Sequence, residues 1–147
     1  MDAFADHDHR GCVRAGLAAA ERRAAAEGLR LTPVRRRVLE ILLESHRALG
    51  AYDLLARLRA EGLGSQPPVA YRALDFLTTH GMAHRIERLN AFVACARPEA
   101  AHDPAFLICR VCDRVAEAPR PPLPAAEGFA VEAASVEAEG VCPRCAR

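Results

Sequence analysis

Lysine is missing from this chain, and all 20 of its basic residues are arginines. Long apolar runs are missing as well: none approaches the roughly 20 residues that a helix needs to cross a bilayer, which argues against a membrane protein. The opening residues, MDAFADHDHRGC, show no basic stretch followed by an apolar core, so the sequence predicts no secretory signal. We therefore expect a cytoplasmic protein without a membrane partner, in which cysteines stay reduced and can bind metal.

The size of the chain is compatible with one domain or two small ones. It has 147 residues, a net charge of +1 and a mean hydropathy of −0.03. A domain of about 50 residues would have too small a core to fold alone, but a bound metal could supply the missing stability. Residues 1–96 hold 14 arginines against 11 acidic residues, whereas residues 97–147 hold 6 against 8. The basic excess therefore lies in the first part of the chain.

Four of the six cysteines form two pairs of identical spacing, Cys109-x-x-Cys112 and Cys142-x-x-Cys145. This spacing brings both sulfurs of a pair within reach of one small cation, and two such pairs make the four-thiolate site typical of structural zinc. Thiol–disulfide oxidoreductases use the same spacing, but they need an exposed pair of low pKa at a helix start. No helix is predicted after Cys145, so structural zinc is the favoured interpretation.

Helical patterns fill most of the first 80 residues. Residues 12–27 are alanine-rich and end at Gly28. Thr32 suits the cap of a second helix and Pro33 its first position, and an apolar stripe follows as far as Leu42.

Two more helices and a β-hairpin are predicted before residue 97. Their bounds are residues 51–61 and 65–80 for the helices and 83–88 and 91–96 for the strands, which Leu89-Asn90 connects. Tyr52, Leu55 and Leu58 are expected to share the buried face of the third helix. This order of helices and hairpin is that of a winged helix-turn-helix, whose last helix enters the major groove, although other folds share it.

The remaining residues are predicted to form a hinge and a second domain. Residues 1–96 would be the DNA-binding domain, residues 97–105 a hinge with two prolines, and residues 106–147 a small α/β or mainly β domain built around zinc. Strands are expected over residues 106–109, 114–117 and 129–136, separated by the proline-rich run at 119–124. The predicted fold class is thus α+β.

Arginines cluster at the start of the second helix. Arg30, Arg35, Arg36 and Arg37 lie within eight residues, which suits contact with the phosphates of nucleic acid. A solvated helix end is the alternative interpretation.

A second group of metal-capable side chains spans the predicted hinge. His84 and Cys95 fall on the two hairpin strands, His102 in the hinge and Glu117 at a strand end. Two nitrogens, a thiolate and a carboxylate suit zinc, and the thiolate disfavours magnesium, calcium and manganese. Each residue also has an ordinary interpretation: a phosphate contact, a small core residue or a solvated acid.

Three further metal-capable side chains, those of His7, Asp8 and His9, lie near the N-terminus. Weak metal binding is one interpretation of this stretch, and a disordered charged end is the expected one.

Several motifs together resemble the ferric uptake regulator family, and within it the zinc-sensing branch. They are LTPVRRRVLEILL, AYDLLARLR, PPVAYRALDFL and HGMAHRIERLNAFVAC, followed by the two cysteine pairs. The resemblance implies a winged-helix repressor that binds operator DNA as a homodimer when metal is bound. It assigns structural zinc to the four paired cysteines, regulatory zinc to the second group, and DNA contact to Tyr71 and Arg72. Two zinc ions per protomer are therefore expected.

The resemblance also shows where this chain departs from the family. The recognition helix begins Val69-Ala70-Tyr71-Arg72 where the family usually has Thr-Val-Tyr-Arg, so a hydroxyl is absent. The family's dimerisation helix should fall between Glu117 and Phe129, but this stretch is short and rich in proline.

The expected function is zinc-responsive repression of zinc uptake genes, with neither catalysis nor a small-molecule substrate. A sensor of iron, manganese or peroxide is the alternative within the family, and Cys95 argues for zinc. The alternatives from other classes are a thiol–disulfide oxidoreductase and a zinc-ribbon adaptor that does not bind DNA.

Overall fold

The computed structural model describes residues 3–5, 7–98 and 102–147 and shows four helices followed by two small sheets. The helices are α1 (His9–Glu27), α2 (Pro33–Leu43), α3 (Ala51–Ala60) and α4 (Pro67–Thr79). The strands are β1 (Ala83–Ile86), β2 (Ala91–Ala94), β3 (Ala105–Cys109), β4 (Val115–Ala118) and β5 (Glu137–Gly140). This α+β architecture confirms the predicted fold class. Residues 99–101 of the predicted hinge lie outside the described residues.

Local signals in the sequence set the ends of the first two helices. Asp8 caps α1 by accepting a hydrogen bond from the Arg10 N–H, so the helix begins three residues before the predicted start. Gly28 ends it in the left-handed conformation at φ 66°, and its N–H donates to the Ala24 carbonyl. Thr32 caps α2 as predicted, accepting from the Arg35 N–H.

The four helices bury one apolar core. It includes Leu17 of α1, Val38 of α2, Leu58 of α3 and Leu77 of α4. The expectation that Tyr52 faces inward is wrong, because its side chain is 68% exposed. The buried residues of α3 follow the i, i+3, i+4, i+7 pattern of a helix face instead; they are Ala51, Leu54, Leu55 and Leu58.

The hairpin is shorter than predicted. Strands β1 and β2 pair antiparallel with Ala83 opposite Ala94, and Leu49 joins the sheet by bonding to Phe92. The predicted strand ends at residues 87 and 88 form a 3₁₀ turn, and Asn90 completes it with a positive φ of 46°. Asparagine tolerates this left-handed conformation, which the turn requires.

The second sheet has the order β4-β3-β5. Strand β3 pairs antiparallel with β4 and parallel with β5, so both of its edges are occupied. The strand predicted over residues 129–136 is wrong, since these residues form no strand and β5 begins at Glu137. No helix occurs within residues 102–147.

Side chains and backbone join the helical part to the second sheet. A small apolar cluster combines Ile86 and Val93 of the hairpin with Phe106, Ile108 and Val115 of the sheet. Backbone bonds add to it: the Val115 N–H donates to the His46 carbonyl at 2.8 Å. Within the described residues, none of the helices combines the length and apolar character that a membrane crossing requires.

Candidate metal centres and nucleic-acid interface

The four paired cysteines converge at one end of the second sheet. Their four sulfur atoms lie within 4.8 Å of one another, although the two pairs are about 30 residues apart in sequence. The first pair sits on the turn between β3 and β4, where Asp113 adopts a positive φ of 59° and donates its N–H to the Cys109 carbonyl. The second pair follows β5, whose parallel register places Gly140 beside Cys109 and so delivers Cys142 to the first pair.

Electrostatics at these sulfurs favour a bound cation. The N–H of Cys142 donates to the Cys109 sulfur at 3.3 Å, and backbone hydrogen bonds of this kind lower the Cys109 pKa to about 6. Hydrogen bonding with Cys142, together with burial and the nearby thiolate of Cys109, raises the Cys145 pKa to about 12. Four sulfurs this close cannot all be thiolates unless a cation compensates them, and a zinc ion is suited to that donor set.

The second group of predicted ligands also converges. One donor atom from each of four residues lies within 4.8 Å of the other three; the residues are His84, Cys95, His102 and Glu117. Cys95 directly follows β2, and its N–H continues the hairpin ladder by donating to the Met82 carbonyl. Because His84 pairs with Val93, the side chain of Cys95 lies diagonally across the hairpin from His84.

Distances within this group are those of a compact polar site. Glu117 lies between the two imidazoles, with Oε1 3.0 Å from His84 Nε2 and Oε2 3.1 Å from His102 Nε2. The Cys95 sulfur lies 3.7 Å from His102 Nε2. Burial alone would raise the Glu117 pKa, but the two imidazoles and the Ala96 N–H outweigh it and lower the pKa to about 2.

The donor set of the second group fits zinc. His84 Nε2 is buried and, although Glu117 Oε1 lies 3.0 Å away, it has no hydrogen bond of normal geometry among the described residues. A buried polar atom without a partner is costly, and a metal ion at the centre of the group would satisfy it. The carboxylate is ionised, and the thiolate and imidazoles are ligands that zinc prefers over harder cations.

One face of α4 presents polar side chains to solvent. Tyr71 is 44% exposed and Arg72 is exposed beside it, while Ala70, Ala73 and the other apolar residues of the helix pack inward. Pro67 occupies the first turn of the helix, where its missing N–H costs nothing. The elements that pack against α4 are α2, α3 and the hairpin strand β1.

The arginines at the start of α2 form intramolecular contacts. The Arg35 guanidinium packs 3.9 Å above the Phe76 ring of α4 and donates to the Arg30 carbonyl. Arg36 pairs with Glu21 and Glu40, and Arg37 pairs with Glu61, Glu40 and Glu44. Ion pairing is a third interpretation of Arg36 and Arg37, besides phosphate contact and solvation.

A third metal-capable group joins His7 to two residues that the sequence did not single out, Cys12 and His46. His7, Cys12 and His46 place one donor atom each within 4.8 Å of the others. The expectation of a disordered end is wrong for His7, whose Nε2 lies 2.8 Å from Nε2 of His46. Burial, with the neighbouring His7 and His9, lowers the His46 pKa to about 4, so this imidazole is neutral at pH 7. The packing of α1 on α2 creates this group, and no spacing in the sequence indicates it.

Four helices, a hairpin and a sheet with two cysteine knuckles define the protein as a winged-helix regulator with metal-capable centres. The chain belongs to the ferric uptake regulator family, whose family model matches residues 26–139. It is 38% identical over 137 residues to the zinc uptake regulation protein of Escherichia coli K12, an alignment that covers 88% of this chain and 80% of that protein.

Two relatives of known structure share this architecture, at 34% and 36% sequence identity to this chain. The chain matches a zinc uptake regulator complexed with zinc and DNA at a TM-score of 0.81 and 34% identity, covering 91% of this chain and 95% of that one. It matches holo XcZur at a TM-score of 0.77 and 36% identity, over 90% and 97% of the two chains. Apo XcZur has the same sequence identity, and the match covers 93% of this chain and 99% of that one, but its TM-score is only 0.55.

Proposed function

We propose that this protein is a zinc-responsive transcriptional repressor that binds operator DNA as a homodimer when its regulatory site holds zinc, and so controls zinc uptake genes. The observation that carries the proposal is the convergence of His84, Cys95, His102 and Glu117 between the hairpin and the second sheet. The relatives support it, since they are zinc uptake regulators and one of them was solved with zinc and DNA. As a DNA-binding regulator it would act in the cytoplasm.

The proposal includes two zinc ions per protomer. The first would be held by Cys109, Cys112, Cys142 and Cys145 and would stabilise the second sheet, as structural zinc does in small domains. The second would be held by the His84 group, where it would cross-link the hairpin to the sheet and compensate the charge of the ligands. Cys95 supports zinc over the iron- and manganese-sensing alternatives, because harder cations prefer oxygen and nitrogen ligands.

The regulatory ligands come from separate parts of the fold, which suggests how zinc binding would control the affinity for DNA. We keep the division into residues 1–96, a hinge at 97–105 and residues 106–147 as part of the proposal. His84 and Cys95 belong to the first unit, and Glu117 belongs to the third, so the site is complete only when the units are close together. Occupancy therefore favours one relative orientation and shifts the population toward it.

The two forms of XcZur support such a shift. Both are equally identical to this chain, so the difference between TM-scores of 0.77 and 0.55 reflects arrangement rather than sequence. This chain has the holo-like arrangement, in which its four donor atoms lie within 4.8 Å.

A dimer surface is available beside the second sheet. Residues 121–135 are exposed along their whole length, including the apolar side chains of Leu123, Phe129 and Val131. Phe129 alone is 71% exposed. Exposed apolar side chains are a feature of association surfaces, and we propose that this segment replaces the dimerisation helix of the family.

The exposed face of α4 is the proposed nucleic-acid interface. Tyr71 and Arg72 would meet base edges in the major groove, and a dimer would place two such helices in successive turns of the duplex. Arg35, held near α4 by Phe76, and Arg36 at the same helix start would contact the backbone.

Binding measured across buffered free zinc tests the function. Duplexes are first selected from a random-sequence pool with zinc-loaded protein, and their affinity is then titrated from metal-depleted to saturating zinc. We expect zinc to tighten binding by a factor of about 5–150, and the selected DNA to tighten zinc binding by the same factor, because coupling is reciprocal.

Metal analysis of the same samples serves as the control. It should find the structural zinc at every point of the titration and the second zinc only at the high end. Selected duplexes bound equally well with and without zinc would contradict the proposal, and so would a stronger response to manganese or iron than to zinc.

A further inference from the structure

Three side chains outside both proposed zinc sites meet at the base of α1. His7 precedes the helix, Cys12 lies buried in its first turns, and His46 lies in the connection after α2. Their donor atoms lie within 4.8 Å of one another, and the Nε2 atoms of the two imidazoles are 2.8 Å apart. The two rings are inclined at 59°, so their faces do not stack.

The surroundings of this group are polar and constrained. The ring of His9 lies 4.7 Å from that of His7 and 5.2 Å from that of His46, and its buried Nδ1 has no hydrogen-bond partner within the described part of the chain. Asp8, which lies between His7 and His9 in the sequence, accepts the capping hydrogen bond from the Arg10 N–H. The group is therefore part of a folded helix start.

We propose that His7, Cys12 and His46 form a third metal site, which takes zinc or another divalent transition ion that accepts both nitrogen and sulfur ligands. Two imidazoles and a thiolate are three of the four ligands of a tetrahedral zinc site, and the fourth position is open to water. The sulfur disfavours magnesium, calcium and manganese. With one protein ligand fewer, this site binds metal more weakly than the two four-ligand sites do.

The position of the site links it to the rest of the molecule. The carbonyl of His46 accepts the Val115 N–H, and the backbones of Arg47 and Arg114 form an isolated antiparallel β-bridge. The connection after α2 is therefore held against β4. A cavity of about 270 Å³ separates the third site from the regulatory group, and its lining includes Cys12, His46, Cys95 and Glu117. Metal at the third site thus fastens α1 to the connection that contacts the second sheet.

Cobalt titration of the full-length Cys95→Ser protein isolates the site. This variant keeps the four structural cysteines but removes the thiolate of the regulatory group, so cobalt bound there is ligated by nitrogen and oxygen only. We expect one further equivalent of cobalt to give the near-ultraviolet charge-transfer absorption of a cobalt–thiolate bond. Cys12→Ala in the same background should abolish that absorption, and His46→Gln should weaken cobalt binding at least tenfold.

His80→Gln is the matched control, because His80 lies at the end of α4 against Phe76 and belongs to none of the three groups. It should leave the titration unchanged. The proposal is overturned if Cys95→Ser shows no thiolate absorption, or if that absorption survives Cys12→Ala, which would place the cobalt in the four-cysteine site. Neither result depends on DNA binding, so the outcome is separate from that of the proposed repressor function.

Discussion

At the scale of single residues, Cys95 has the largest effect on which metal ion the His84 group prefers. It is buried at the end of the hairpin and supplies the only sulfur of the His84 group. Its backbone N–H donates to the Met82 carbonyl, so the hairpin fixes the main chain at this position. Substitutions at residue 95 should therefore change the chemistry of the site without changing the fold around it.

Cys95→Ser is expected to lose zinc-dependent DNA binding while it keeps the structural zinc, the fold and the dimer. Serine is close to cysteine in size, but its hydroxyl is a poor zinc ligand at neutral pH. DNA affinity of the variant should equal that of metal-depleted wild type, measured by titration, with retention of the structural zinc confirmed by metal analysis. His80→Gln should behave as wild type. Normal zinc dependence in Cys95→Ser would place the sensing site elsewhere.

At the scale of secondary structure, the inward face of α4 determines which of its side chains reach solvent. Ala70, Ala73, Leu74 and Leu77 are buried against α2 and α3, which turns Tyr71 and Arg72 outward. An arginine on such a helix can donate two hydrogen bonds to guanine, which discriminates against a wrong base by about 1–3 kcal/mol.

Arg72→Ala should therefore lower the affinity for selected duplexes and reduce the preference for them over random DNA. Arg110→Ala is the matched control, since it removes the same charge from an exposed position on the first cysteine knuckle. The control should bind with unchanged preference, as measured by competition at fixed salt and saturating zinc. An unaltered preference in Arg72→Ala would mean that another element reads the bases.

The elements that sequence predicts well are those with local signals. Thr32 and Gly28 mark helix ends through caps that involve neighbouring residues only, and the structure has both. Residues 129–136 include strand-favouring side chains such as Phe129 and Val131, yet a strand forms only beside a pairing partner, and β3 is already paired on both edges, with β4 and β5. Cys12 and His46 come together only through the packing of α1 on α2, which no local pattern encodes.

At the scale of the whole molecule, the second sheet depends on more than its own core. Its three strands have four or five residues each, and the apolar cluster beneath them is completed by Ile86 and Val93 of the hairpin. Charged contacts add to this junction, because the Glu137 carboxylate accepts the N–H groups of Glu87 and Arg88. So small a unit requires a further source of stability.

Cys142→Ser is expected to unfold the second sheet and to give a poorly soluble or monomeric protein. Structural zinc contributes on the order of 10 kcal/mol in small peptide sites, more than a sheet of this size can lose. Sedimentation and zinc content would measure the outcome, with Cys12→Ser as a control that leaves the four-cysteine site intact. A soluble, zinc-free dimer of Cys142→Ser would show that the sheet does not need the metal.

The hairpin differs from a ribbon that projects into solvent, because both of its faces are covered. Phe92 and Ala94 pack on the helical core, whereas Val93 between them packs on the second sheet. A polar residue introduced at either face would meet an apolar neighbour, so few substitutions in β2 can be accepted. Among related sequences, the strand should therefore vary little, and changes there should come in pairs with changes in the core that each side chain faces.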